Sequence, residues 1–303
     1  TNHHMQDLAI EHACLADDPE MIAALVDGCG LELINRGQLN QIYRWRRHVP
    51  DAIAERYPIL VLAEVWDKAA ELALPEANRM IDELLARWDD GKTSTQLNDR
   101  YLAALAVKAV LALQKDDLGL CVSLARKIEP QLGQHSAFLE VAILLVAALA
   151  QVVLVQPEQA RRLLALAHQR KHFLSGHYLD IQLANVEIFM ALEQGHVQQA
   201  QQLFLQLRSK ARPWFGEKSR ALALPTIAEA LVAYQQGQLL EVEEKLTWAL
   251  ATVDVVNPID IYAQGMLCLA RTQRMQDKPK EALASLVLMQ NLAARNQSWR
   301  FYA

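Results

Sequence analysis

Apolar residues recur at i, i+3, i+4 and i+7 through nearly the whole chain, as at Leu102, Leu105, Ala106 and Ala109, and strict period-two alternation is hard to find. That period is the signature of helices with one buried face. Between the apolar runs lie short polar turns, and the runs and turns repeat. Five copies align: LALQKDDLGLCVSLA (111–125), AQVVLVQPEQARRLL (150–164), MALEQGHVQQAQQLF (190–204), VAYQQGQLLEVEEKL (232–246) and TQRMQDKPKEALASL (272–286). Aligned on the residue five places after the turn, the anchors are Cys121, Ala160, Ala200, Val242 and Ala282, spaced 39, 40, 42 and 40. A weaker copy puts Ala77 in LALPEANRMIDELL.

Each copy predicts a helix ending at a turn, where Gly195 and Gly237 can take the left-handed conformation and Pro suits the start of the next helix. A small anchor then lets the second helix approach the first closely. The predicted pairs are 58–73 with 75–88, 97–114 with 117–128, 136–154 with 157–170, 176–194 with 197–210, 217–236 with 239–253, and 259–275 with 279–294. The segment 89–96, Pro130-Gln-Leu-Gly-Gln and Ala211-Arg-Pro are expected to be linkers or inter-unit turns. One hairpin cannot cover its own apolar face, so the units must stack. The expected fold is all-α: a right-handed superhelix of stacked hairpins, tetratricopeptide-like, with repeats of ~40 residues. About six pairs occupy 58–303. Residues 1–57 do not keep the register and are expected to form a helical cap or linker, with three shorter helices over 6–50.

Composition agrees, because 52% of the residues are hydrophobic while Gly is 11 and Pro 10 of 303. A net charge of −5 argues against a nucleic-acid surface. Cys14, Cys29, Cys121 and Cys268 are far apart without metal-ligand spacing, which predicts reduced, buried thiols in the cytoplasm. Residues 137–155 approach the length of a membrane span, but Glu140 and Gln151 interrupt them; a buried repeat helix is expected, not a membrane contact.

Candidate chemistry is sparse. Gly91-Lys92-Thr93 lacks the glycine of a phosphate loop, whose position is held by Ala86. His168, His172 and His177 have no HExxH partner and fit a cationic helix end better than a metal site. Paired acids such as Asp17-Asp18 and Asp116-Asp117 fit helix N-caps. No acid/base or nucleophile pair stands out, so neither an enzyme nor a cofactor is expected. Aromatic residues near the later repeats, with polar neighbours, give an expected effector site on the concave face: His177, Tyr178, Asp180, Asn185, Trp214, Arg220, Tyr262 and Gln264. Gly195, Ala200, Gly237, Val242 and Ala282 are expected to pack the repeats.

The N-terminal stretch carries a resemblance. AIEHACLADDPEMIAALV, INRGQLNQIYRW and VPDAIAERYPILVLAEVW place His12-Ala13, Ala16-Asp17-Asp18, Arg36-Gly37-Gln38-Leu39, Trp45 and the Pro50 to Pro58 stretch in one order. This order resembles the region joining the winged-helix and superhelical parts of the large ATP-dependent LuxR-type transcription activators. The resemblance implies an excerpt of such a regulator, a sensor region that binds a small effector or protein partners and self-associates, with another helix beginning at QSWRFYA. It also implies that ATP and DNA are bound by other parts of the full-length protein. The other function class is a stand-alone scaffold that holds a peptide or partner helix in its groove.

Overall fold

The computed structural model describes residues 2–35, 38–70, 73–88, 98–174, 177–216, 222–252 and 259–296. Among them are sixteen α-helices and no strand. The cap holds α1 (Asn2–Leu15), α2 (Pro19–Asn35), α3 (Leu39–Arg46) and the single turn α4 (Asp51–Ala54). Six pairs follow: α5 (Pro58–Ala70) with α6 (Leu74–Trp88), α7 (Asp99–Gln114) with α8 (Leu118–Ile128), and α9 (Ala137–Val153) with α10 (Pro157–Lys171). The last three are α11 (Tyr178–Glu193) with α12 (Val197–Phe215), α13 (Ala223–Gln235) with α14 (Leu239–Thr252), and α15 (Ile259–Met275) with α16 (Pro279–Asn296). Each first helix packs on the next first helix, and each second helix packs between its partner and the following first helix. The result is an all-α repeat solenoid.

The turns explain the repeat. Asp116, Val155, Gly195, Gly237 and Asp277 fall at one repeat position, and all have positive φ, from 57° to 77°. The next residue's N–H then reaches five residues back to a carbonyl of the first helix: Asp117 to Ala112, Gln156 to Gln151, His196 to Ala191, Gln238 to Ala233 and Lys278 to Gln273, at 2.8–3.0 Å. This is the Schellman closure, which satisfies carbonyls that a helix end would leave bare. The anchors follow, with Ala77, Cys121, Ala160, Ala200 and Val242 fully buried and Ala282 nearly so. Asp117 caps α8 by accepting the Leu120 N–H at 3.0 Å. Val155 is the strained member, since its branched side chain clashes with a left-handed backbone and it is exposed. Val155→Gly should therefore raise stability by ~1 kcal/mol, read as a higher urea midpoint at unchanged slope.

The cap has the three expected helices, α1 to α3, with the single turn α4 after them, but α2 at 17 residues is as long as the array helices α9 and α15. It opens on a hairpin of the same kind as the array, with Asp17 at φ 51°, Asp18 N–H on the Ala13 carbonyl at 3.1 Å, and Asp18 Oδ1 accepting the Met21 N–H at 3.0 Å. Its own core gathers Ile10, Ile22, Val26, Leu33, Ile42 and Trp45, together with Ile59, Leu60 and Ala63 from α5. The other side of α5, Leu62, Val65 and Ala69, belongs to the main core. So α5 is a wall shared by cap and array. Asp27 of α2 caps it by accepting the Ile59 N–H at 2.8 Å, and Gly30 lets Ile59 lie against the α2 backbone.

Ala211-Arg-Pro is not an inter-unit turn, because α12 runs through Pro213 to Phe215. Proline so close to a helix end removes one backbone hydrogen bond without opening the core. The chain turns only at Gly216, φ 79°, whose N–H closes on the Arg212 carbonyl at 3.0 Å. Ala211 stays fully buried in a cluster with Ile188, Phe204 and Leu207. Pro130 does mark a turn, a 3-10 segment over Glu129–Gln131. Residues 89–96, with Gly91-Lys92-Thr93, lie outside the described residues.

Residues 137–153 form α9, buried along both of its sides from Leu139 to Val152 except at Ala142. A helix apolar all round must be enclosed, and the neighbours of α9 are α7, α8, α10 and α11. No helix among the described residues is long and apolar enough to cross a membrane. Burial pushes the Cys121 thiol up to about 12 and Cys268 up to about 11, so both stay protonated at neutral pH. In the native chain at pH 8, a thiol reagent should react first at half-buried Cys14, and with all four cysteines only in denaturant. Fast native labelling of Cys121 or Cys268, mapped by peptide mass, would contradict this burial.

Candidate functional site

The inner layer of first helices is not equally accessible. Along α7 every residue from Leu102 to Gln114 is buried except Lys108 and Val110, and Lys108 is committed to Asp82 at 2.8 Å and Asn78 at 3.2 Å. With α9 enclosed as well, the partly open polar positions of the inner layer lie toward its two ends, on α5 at Glu64 and Lys68 and on α11, α13 and α15.

On α11 the predicted residues divide between two faces. Helical geometry places Asp180 about 140° around the axis from Asn185. Asp180 faces the end of α10, where its Oδ1 accepts from Lys171 Nζ at 2.9 Å and its Oδ2 lies 3.3 Å from His177 Nδ1. About two turns further on, Glu187 meets His168 of α10 with Oε1 and Nε2 2.6 Å apart. These contacts tie α10 to α11 and direct the Asp180 and Glu187 carboxylates to that junction. His172 ends the same helix at its C-cap. Among the described residues no three His, Cys, Asp or Glu side chains converge to hold a metal.

The other face carries Tyr178, Gln182, Asn185 and Phe189, at i−7, i−3, i and i+4 around Asn185. Asn185 is 4% exposed, and neither Nδ2 nor Oδ1 has a hydrogen-bond partner in the protein. A buried carboxamide left unpaired costs about 1–3 kcal/mol per group. Such an expense at a buried position between Ala184 and Val186 calls for a reason. Tyr178 packs its ring on the main core, and Gln182 is half-buried.

α15 touches α11 through the side chain of Gln264. Tyr262 is half-buried against the main core, and burial pushes its phenol above the usual range. Gln264 donates from Nε2 to Glu193 Oε1 at the end of α11, so two helices that are two repeats apart meet across α13. Gly265 permits this close winding: a Cβ there would sit 2.8 Å from Ile227 of α13 and 3.2 Å from Leu250 of α14. The cap also reaches α11, through α2. Of the predicted site residues, Tyr178 and Asn185 share one side of α11 and Gln264 reaches that helix at Glu193, whereas Tyr262, two residues and about 160° from Gln264 around α15, packs toward the main core instead. His177 and Asp180 belong to the α10 junction. Trp214 is placed in the last turn of α12, while its side chain and all of Arg220 lie outside the described residues.

The repeat-packing residues lie where the turn geometry needs them: Gly195 and Gly237 at φ 73° and 77°, Ala200 and Val242 fully buried, and Ala282 at the start of α16. Sequence reasoning missed Glu193 as the partner of Gln264. Its signal was slight, an acid in the last turn of a helix that also carries Asp180 and Glu187. No known family model matches the chain, and no curated protein matches it.

Proposed function

We propose that this chain is a regulatory sensor: a solenoid that binds a small uncharged effector on the inner face of α11 and α15 and passes the binding to its ends. The observation that carries it is Asn185, a buried carboxamide whose donor and acceptor are both unused. The resemblance of residues 9–66 to the joint region of LuxR-type activators supports the regulatory half of the reading. The chemistry of the face supports the uncharged half. Asp180 and Glu187 point to the α10 junction, and Glu193 is engaged by Gln264, so the groups beside Asn185 are neutral or apolar. A ligand with a hydroxyl or amide, offering one donor and one acceptor together, would satisfy both atoms of Asn185 and pack on the half-buried Tyr178 ring.

Binding acts on the equilibrium between arrangements only by differential affinity. A ligand bridging α11 and α15 favours the wound form in which those helices approach across α13. In a full-length regulator, that bias would be passed to nucleotide- and DNA-binding parts in the cytoplasm. The test is a thermal-shift screen of neutral hydroxylated and amide metabolites, with charged metabolites as the contrast. A ligand at ~100 times its Kd should add about 2.7 kcal/mol and raise Tm accordingly. No response to any neutral ligand, together with tight binding of a helical peptide, would leave the scaffold reading in its place.

A further inference from the structure

Successive units are joined where a second helix meets the next first helix, and the repeat register shows what each joint is made of. Eleven residues after the anchor, three successive joints carry Leu132, Lys171 and Ala211. On the facing first helices, fifteen residues before the turn position, stand Glu140, Asp180 and Leu222. At the α12–α13 joint, Ala211 is fully buried, Leu222 is 5% exposed, and both belong to one apolar cluster. At the α8–α9 joint, Leu132 packs on the main core. At the α10–α11 joint the two places hold an ion pair instead. Lys171 Nζ donates to Asp180 Oδ1 at 2.9 Å, with the side chains 28% and 30% exposed.

The rest of that joint follows suit. Three residues before Lys171, His168 meets Glu187, again between partly open side chains, and His177 leans on Asp180. Among the described residues, α10 and α11 share the smallest interface of any second helix of the array with the first helix that follows it. α10 packs most closely on its own partner α9, and α9 also holds α11 from the inner layer, where Leu183 and Val186 join the main core. Apolar burial holds in proportion to the area removed from water, whereas water and salt compete with a half-open ion pair. The joint therefore has a firm inner side and a weak outer side, which is the construction of a hinge.

We infer that the array is hinged between α10 and α11. The helices from α11 onward turn as one body about the α9–α11 contact, and Lys171–Asp180 with His168–Glu187 latch the outer side. The next joint stays shut, because opening it would bring Ala211 and Leu222 into water. The hinge goes beyond the effector reading and stands without it, since it is measured in the unliganded chain. What it adds to that reading is that α11, which carries Asn185, is the first helix of the moving body.

Double electron–electron resonance on the full chain carrying Cys14→Ser tests it. Spin labels at Gln169→Cys and Ser209→Cys span the α10–α11 joint, and labels at Ser209→Cys and Ala251→Cys span the α12–α13 joint at equivalent positions, all exposed. The first pair should give the broader distribution and move to longer distance at high ionic strength, while the second stays fixed. Lys171→Glu, which sets two carboxylates together, should lengthen the first distance at low salt in the same way. Lys171→Ala with Asp180→Leu installs the side chains of the next joint. It should narrow the first pair to the width of the second and abolish the response to salt. Circular dichroism of each variant separates opening of the joint from loss of helix. A first pair as narrow as the second, unmoved by salt and by Lys171→Glu, would overturn the inference. So would equal broadening of both pairs, since that is the mark of an array that bends everywhere.

Discussion

Glu140→Ala should destabilise the chain by about 3–5 kcal/mol, the range for breaking a buried ion pair from one side. Glu140 is 1% exposed in the first turn of α9. Its Oε1 accepts the Gly133 N–H at 2.8 Å and the His135 N–H at 3.3 Å, and its Oε2 accepts Arg170 Nε at 2.5 Å. Three parts of the fold meet on this carboxylate: the turn leaving α8, the start of α9 and the end of α10. Arg170 also lies 4.8 Å over the Phe173 ring, which holds the guanidinium in place when its partner is removed. Alanine would leave a largely buried cation and two N–H groups unpaired. Gln keeps an acceptor oxygen for the backbone and loses the charge, so Glu140→Gln should fall between wild type and alanine. The measurement is urea unfolding followed by circular dichroism, and a loss below about 1 kcal/mol for alanine would show the network to be dispensable.

The neighbouring pair is a useful contrast. Arg162 grips Glu129 with two hydrogen bonds, 2.7 and 2.8 Å, between half-exposed side chains, and hydrogen bonding from Arg162 holds the Glu129 acid below its usual range. Because the folded value is the lower one, this pair contributes above the usual carboxylate range near pH 4.5 and is lost as pH falls through the folded value. Solvent screening keeps the contribution of so open a pair under about 1 kcal/mol. Burial, not the count of hydrogen bonds, makes Glu140 the costlier carboxylate to remove.

Much of the fold is legible in the sequence because turn chemistry and period agree. Gly195 and Gly237 declare the left-handed residue directly, and Asp116 and Asp277 do so once aligned with them. Val155 gives no such signal and is found only by register. The cap hairpin was missed for a related reason. Asp17-Asp18-Pro19 repeats the turn chemistry of Asp277-Lys278-Pro279 but falls outside the ~40-residue spacing, so the period alone does not reveal it. Pro213 suggests a stop, yet a proline within the last turn removes little that the helix end needs. The candidate site was half legible. Asn185 stands out as a carboxamide in an apolar run, but the pairing of Asp180 with Lys171 depends on how α10 ends and α11 begins. No sequence period reports it.

Asn185→Leu should have two effects of opposite value. Without ligand, the variant should be more stable than wild type by about 1–3 kcal/mol, because an unpaired buried amide is replaced by an apolar side chain of similar length that favours helix. A rise of that size moves Tm upward by several degrees. With ligand, the response should disappear, since the group that fixed the ligand's donor and acceptor is gone; a site built to hydrogen-bond a polar group discriminates strongly against its loss. The pairing of the two results is what matters. If Asn185 were an ordinary packing residue with adequate partners, leucine would overpack the helix junction and lower Tm. If the carboxamide held structure through an ordered water, Asn185→Asp would be tolerated better than leucine. A variant that is both more stable and unresponsive would mean that α11 keeps a costly polar group for binding, at the expense of the solenoid's own stability.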